Sequence, residues 1–119
     1  MFAEQMQQLK SRIDGAIALS IVARDGMQVE TLSDRPDLDL EVLAAELMTQ
    51  VRTISQNHQE LKVGEVRHFS VTTDRLVLMV TSLTEEYFLL LVLAAGSNTG
   101  RARFELRRSV LLFEEDLAV

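Results

Sequence analysis

Two apolar runs in the C-terminal half of the chain constrain its fold most strongly. Residues 76–80 read Leu-Val-Leu-Met-Val and residues 88–93 read Phe-Leu-Leu-Leu-Val-Leu, without one polar side chain. A strand with one solvated face alternates apolar and polar residues, whereas a strand buried on both faces is apolar throughout. The two runs therefore predict central strands of a sheet that is covered by helices on both sides.

Other segments supply the rest of the sheet. Residues 16–23 alternate large and small side chains with little polarity, which predicts another interior strand. Residues 27–32 alternate apolar and polar side chains, which indicates an edge strand joined to the first by the tight turn Arg24-Asp25-Gly26. Residues 61–73 are more polar and alternate imperfectly, so we expect the opposite edge there. With residues 76–82 and 87–95, the predicted strand order is 2-1-5-4-3.

Three stretches place apolar residues at helical spacing. The first begins at Phe2 and ends near Asp14-Gly15. The second runs from Leu40 to about Asn57, and the third runs from about Arg101 to Leu117. The loop of residues 96–100 is expected to supply the N-cap of the last helix. The chain is thus predicted to be one α/β (α+β) domain over residues 1–119, in the order α-β-β-α-β-β-β-α. We expect a five-stranded, mainly antiparallel sheet with the second helix on one face and the terminal helices on the other.

Composition narrows the classes of function. The formal net charge is -6, and a surface that binds nucleic acid needs clustered cations, so no nucleic-acid partner is expected. There are no cysteines, which removes thiolate metal sites, disulfides and a cysteine nucleophile. The longest apolar run is far too short to span a membrane, and the first residues do not resemble a signal peptide. We therefore expect a soluble, cytoplasmic protein with no membrane partner.

With this element order, the chain resembles the Roadblock/dynein light-chain family, which includes the bacterial MglB-type gliding proteins. Three stretches carry the resemblance: the strand and turn from Ile17 to Met27, the helix from Leu40 to Ile54, and the strand, loop and arginine-bearing helix from Leu89 to Leu112. The resemblance implies a homodimer in which the third strands pair edge to edge and the second helices lie antiparallel. It also implies that this helical face receives a small Ras-like GTPase, in roles from activation or exchange to scaffolding.

Residues that could carry catalysis are scattered. The two histidines, His58 and His68, fall on a predicted helix-exit loop and on an edge strand, without further metal ligands at suitable spacing. The loop of residues 96–100 lacks the lysine and glycine spacing of a nucleotide-binding loop. The acidic runs Glu85-Glu86 and Glu114-Glu115-Asp116 are typical of solvated turns and helix ends. We predict no catalytic, cofactor-binding or metal-binding residues, and no enzyme.

Four arginines cluster in the last predicted helix. Arg103 and Arg107 project beside its apolar stripe, whereas Arg101 and Arg108 project away from it. We favour a solvated face with local pairs to Glu105 and Glu114, and a partner site is the alternative.

The second helix carries the main candidate site. Opposite its apolar stripe, Val42, Ala45, Thr49 and Thr53 form a row of small or β-branched residues where a solvated helix carries long charged ones. The alternative is that this face is ordinary solvent-exposed surface, on which small residues are tolerated. The predicted partner and dimer interface comprises Val42, Ala45, Glu46, Thr49, Arg52, Thr53 and Gln56 on the helix and Glu65, Arg67, Phe69 and Val71 at the edge strand. We expect a proline at Val71 to remove a ladder donor and weaken the dimer.

These observations predict a binding and regulatory module rather than a catalyst. Its function would be a homodimeric interaction platform that binds or regulates a small Ras-like GTPase. A structural subunit or adaptor of a larger assembly would use the same helical face. A small-ligand sensor would need a pocket with convergent polar groups, and the strand interiors are uniformly apolar.

Overall fold

The computed structural model describes residues 2–117, apart from the side chains of residues 58, 59 and 116. It confirms the predicted order α-β-β-α-β-β-β-α. The elements are α1 (Ala3–Ser11), β1 (Ala16–Ala23), β2 (Gln28–Ser33), α2 (Leu40–Leu61), β3 (His68–Thr72), β4 (Leu76–Ser82), β5 (Tyr87–Ala94) and α3 (Thr99–Leu117).

The strands form one five-stranded sheet of order β2-β1-β5-β4-β3, as predicted, and every neighbouring pair is antiparallel. The apolar strand β5 lies between β1 and β4, with Leu91 opposite Leu19 on one side and Met79 on the other. All three side chains are at most 2% exposed. Burying each such side chain stabilises the fold by about 1.5–3 kcal/mol.

Alternate residues of the central strands enter two separate cores, one on each face. Leu89, Leu91 and Leu93 pack with residues of α1 and α3. Leu90 and Val92 pack with residues of α2. The two faces are therefore covered as predicted, with α2 alone on one side.

The connection between α2 and β3 differs from the prediction. Leu61 and Val63 are apolar at alternate positions and imitate a strand, but both are more than half exposed. The helix instead continues to Leu61, and the backbone then reverses where Lys62 and Gly64 have φ values of 57° and 96°. Extended structure is incompatible with those angles, so no strand runs through residues 62–64, and β3 begins at His68.

The predicted cap of α3 is confirmed at Asn98. Its Oδ1 accepts a hydrogen bond from the Arg101 backbone N–H at 3.0 Å. This bond satisfies one of the unpaired N–H groups of the first turn, and the helix begins at Thr99.

Candidate interaction surface

The outer face of α2 is exposed along the predicted row, and its hydroxyl groups are already satisfied. Thr49 Oγ1 donates to the Ala45 carbonyl and Thr53 Oγ1 donates to the Thr49 carbonyl, each at 3.0 Å. The threonines therefore need no further acceptor for their hydroxyl protons. A partner could cover this face without leaving those donors unpaired, which lowers the cost of desolvation.

The β1–β2 turn supports the same helix from beside this row. Gly26 is buried, and a Cβ atom built on it would lie 3.2 Å from the Ala45 Cα. The next residue, Met27, is 69% exposed, and Val42, one helical turn before Ala45, is 63% exposed. Large apolar side chains thus flank the point where the turn and the helix touch.

Arg52 ties α2 to this turn. Its Nη1 donates to the Arg24 carbonyl at 2.6 Å, and its Nη2 donates to Thr49 Oγ1 at 3.2 Å. Arg24 in turn donates through Nε to the Glu85 carbonyl at 2.9 Å and lies over the Phe88 ring. The predicted interface residue Arg52 therefore also fixes the position of the helix.

The free edge of β3 is formed by its even-numbered residues. The Thr73 N–H donates to the Leu76 carbonyl at 2.8 Å, and the Ser82 N–H donates to the Arg67 carbonyl at 2.9 Å. Since hydrogen-bonded pairs recur every second residue in an antiparallel ladder, the odd-numbered residues bond to β4. The backbone groups of residues 68, 70 and 72 consequently point outward.

This register corrects the expectation for Val71. Its backbone groups belong to the pair with Leu78 inside the sheet, so a proline there would break the β3–β4 ladder. The side chains of Phe69 and Val71 are half-buried and pack against the core beneath α2. The edge strand also has only the five residues His68–Thr72, and it is shorter than predicted.

Glu65 and Arg67 precede the strand instead of lying in it. Both are exposed, and they line a cleft of about 520 Å³ together with Arg52 and Gln56. The structure thus brings Arg52 and Gln56, which flank the predicted row on α2, next to the residues before β3. The row itself, Val42, Ala45, Thr49 and Thr53, does not line this cleft.

The histidines do not form a metal centre in the described part of the chain. His68 lies on β3, where its Nδ1 is 2.9 Å from Thr81 Oγ1. Burial, followed by the nearby Arg103 charge, lowers the pKa of His68. His58 lies in the last turn of α2 and not in a loop, and its side chain is outside the described residues. Among the side chains that the structure describes, which exclude those of residues 58, 59 and 116, no group of three or more His, Cys, Asp or Glu could hold a metal ion.

In the core between α2 and the sheet, the gap that Val22, Met48 and Phe88 help to line has no room for a water-sized molecule. A sensor ligand of the kind considered from the sequence therefore has no space at that position. None of the described helices is long and apolar enough to cross a membrane.

A buried carboxylate on α3 was missed by the sequence analysis. Glu105 is fully buried, and its Oε1 lies 3.1 Å from Arg101 Nη2 and 3.5 Å from Arg108 Nη1. Both guanidinium groups also lie 5.8 Å from the centroid of the half-exposed Phe104 ring. The predicted pairing of Glu105 is correct, but its solvated position is wrong. Helical spacing could have predicted the burial of Glu105, because this residue falls three positions after Ala102 in the apolar stripe of the helix.

The comparisons with known proteins agree with this architecture. A Roadblock/LC7 domain structure from Streptomyces avermitilis superposes with a TM-score of 0.85 at 17% identity, covering 96% of this chain and 95% of that one. MglC from Myxococcus xanthus superposes at 0.72 with 29% identity, covering 97% and 98%. An MglB with a tetrameric arrangement superposes at 0.83 with 15% identity, covering 95% and 85%.

Among curated proteins, none matches the chain. The Roadblock/LC7 domain family model matches residues 2–94, which include every element from α1 to β5. The matched region contains α2, β3 and the cleft between them, and α3 lies beyond it. Family members act in protein interaction or in the regulation of GTPases, and this chain belongs to the Roadblock/LC7 domain family.

Proposed function

We propose that this protein is a non-enzymatic, homodimeric interaction platform that binds a small Ras-like GTPase through the outer face of α2. The proposal is carried by one exposed row on α2, formed by Val42, Ala45, Thr49 and Thr53. Its side chains are small or β-branched, and its threonine hydroxyls already donate to carbonyl groups of the same helix. Such a face allows the close approach of another protein and costs little to desolvate.

Self-association through β3 supports the same reading. The outward backbone groups of residues 68, 70 and 72 can pair with a second copy, which would extend the sheet across two protomers. The cleft beside Arg67 would then lie near the junction of the two chains. An MglB of the same fold adopts a tetrameric arrangement, which shows that the fold is compatible with assembly.

The test uses purified Ras-like GTPases from the same genome. Calorimetry measures the affinity of each GTPase for the protein, once with GDP bound and once with GTP bound. Replacing Ala45 and Thr49 together by glutamate places two charges on the outer face. A charge left unpaired in an interface typically costs several kcal/mol, so the double variant should lose measurable binding. Circular dichroism should remain unchanged, because both positions are exposed.

A matched control replaces Gln7 and Gln8 by glutamate. Both are exposed on α1, on the opposite face of the sheet, so this variant adds the same charge away from α2. It should bind as the unmodified protein does. Equal binding by the A45E/T49E and Q7E/Q8E variants would contradict the proposed docking face.

The second candidate is an adaptor that carries another protein on the same face. It is favoured if no GTPase binds while a partner captured in the cell is lost in A45E/T49E and retained in Q7E/Q8E. Measuring GTP hydrolysis and nucleotide release in the presence of the protein separates activation, exchange and scaffolding.

A further inference from the structure

The arginines of α3 form two sets with different surroundings. Arg101 and Arg108 pair with the buried Glu105. Arg103 and Arg107, one helical turn apart, form no ion pair with any side chain that the structure describes. Like charges four residues apart destabilise a helix, so the charges of this second pair do not stabilise α3.

Arg103 and Arg107 face a cavity of about 500 Å³ between α3 and the β3–β4 edge of the sheet, which we call the α3 cavity. Its polar lining includes Arg67, His68, Thr81, Arg103, Arg107 and Glu114. With a neutral histidine, three arginines and one glutamate give a formal charge of +2. The cavity is thus a concentration of positive charge in a protein whose net charge is -6.

His68 lines this cavity and also has a buried ring nitrogen without a partner among the described residues. Its Nδ1 contacts the Thr81 hydroxyl at 2.9 Å, while Nε2 is shielded from solvent and has no partner among the described residues. Burial and the charge of Arg103 lower the pKa of His68, so the ring is neutral near pH 7. When the Thr81 hydroxyl donates to Nδ1, the ring proton is on the buried Nε2, so the neutral ring lies beside the arginines and can report on a ligand that binds there.

We propose that the α3 cavity binds the phosphate monoester dianion of a small soluble ligand. The charge of the ligand group, -2, balances the charge of the lining. The planar guanidinium groups of Arg103 and Arg107 can each donate two hydrogen bonds to phosphate oxygens, and Arg67 lines the same cavity. The site is distinct from the outer face of α2 and lies on the opposite face of the sheet.

The probe is inorganic phosphate, and the readout is the nuclear magnetic resonance of the histidine rings. Because the chain has only two histidines, the His68 ring signals can be assigned by comparison with H68Q. We expect saturable shifts of the His68 ring with a dissociation constant of about 1 mM or tighter, and a ring proton on Nε2 in the complex. Acetate at the same ionic strength should produce no saturable shift, because it carries one charge. Absence of saturation by about 20 mM phosphate would overturn the proposal.

Paired variants assign the site. Changing Arg103 and Arg107 to glutamine should weaken phosphate binding at least tenfold. Changing Arg12 and Arg75 to glutamine removes the same charge from exposed positions that do not line the cavity, and should alter binding less than twofold. Equal weakening in both double variants would indicate general charge attraction and refute a built site. Light scattering on both variants checks that the oligomeric state is unchanged.

A second pair of probes distinguishes a soluble ligand from a lipid headgroup as the source of the phosphate group. Glycerol 3-phosphate represents a soluble ligand, and vesicles that contain phosphatidylinositol 4-phosphate represent a lipid headgroup. We expect glycerol 3-phosphate to bind at least as tightly as inorganic phosphate, with the same dependence on Arg103 and Arg107. Vesicle binding that depends on these arginines, without binding of glycerol 3-phosphate, would contradict a soluble ligand.

Discussion

Replacing Gly26 by alanine tests how closely the β1–β2 turn packs against α2. Gly26 has a φ of 95°, and a Cβ there would lie 3.2 Å from the Ala45 Cα, a backbone atom inside a helix. Gly64 provides a matched control, because its φ is 96° but an added Cβ would have no atom within 4 Å. The two substitutions therefore share the backbone strain and differ in the close contact.

The difference between the two variants can be estimated from these contacts. Left-handed backbone costs a non-glycine residue about 1–2 kcal/mol, and alanine recovers about 0.4–1 kcal/mol by restricting the unfolded chain. The G64A variant should therefore lose about 0–1.6 kcal/mol in its free energy of unfolding. Overpacking adds about 1–3 kcal/mol when a neighbour must move, and for G26A that neighbour is the backbone of α2.

Urea unfolding followed by circular dichroism measures both variants at one protomer concentration, since association changes apparent stability. We predict that G26A is less stable than G64A by about 1–3 kcal/mol, a difference of about 1 M in the urea midpoint. Equal stabilities within about 0.5 kcal/mol would mean that the turn does not restrain α2 as the structure indicates.

Four other variants have defined outcomes. Changing Arg101 and Arg108 to glutamine leaves the buried Glu105 uncompensated and should cost about 2–4 kcal/mol, below the usual range for buried pairs because both guanidiniums are more than half exposed. The E105M variant should instead be near neutral in urea unfolding, because the arginines can be solvated. Because the pKa of His68 is lowered by folding, stability should fall as pH decreases below about 6.5, and the H68Q variant should show a flatter pH profile. Val71→Pro should lower the unfolding midpoint of the protomer, because it breaks the pair with Leu78.

The sequence predicted the layered fold well because the strongest patterns lie in the centre of the sheet. Residues 16–23 and 76–82 form strands over the predicted bounds, since interior strands are specified by side-chain burial. The end of α2 was less predictable, because alternate apolar residues at Leu61 and Val63 imitate a strand while the backbone angles of Lys62 prevent one.

The features of the candidate sites depend on contacts between distant segments. Which residues of β3 face outward follows from the register set by Thr73 and Leu76, and a one-residue shift would exchange the two sets. The cavity beside α3 joins His68 and Arg103, which are far apart in sequence. The row of small residues on α2 could be predicted from the sequence, because all its members belong to one helix.

Light scattering on the unmodified protein and the S70P variant tests the central claim that the platform is a dimer paired through β3. The Ser70 N–H faces outward, so proline removes a donor from the free edge while the bonds to β4 remain. At tens of micromolar, we predict a mass of twice the 13.4 kDa chain for the unmodified protein and a shift toward the monomer for S70P. An unmodified protein with the mass of one chain, or a dimer that persists in S70P, would contradict the account.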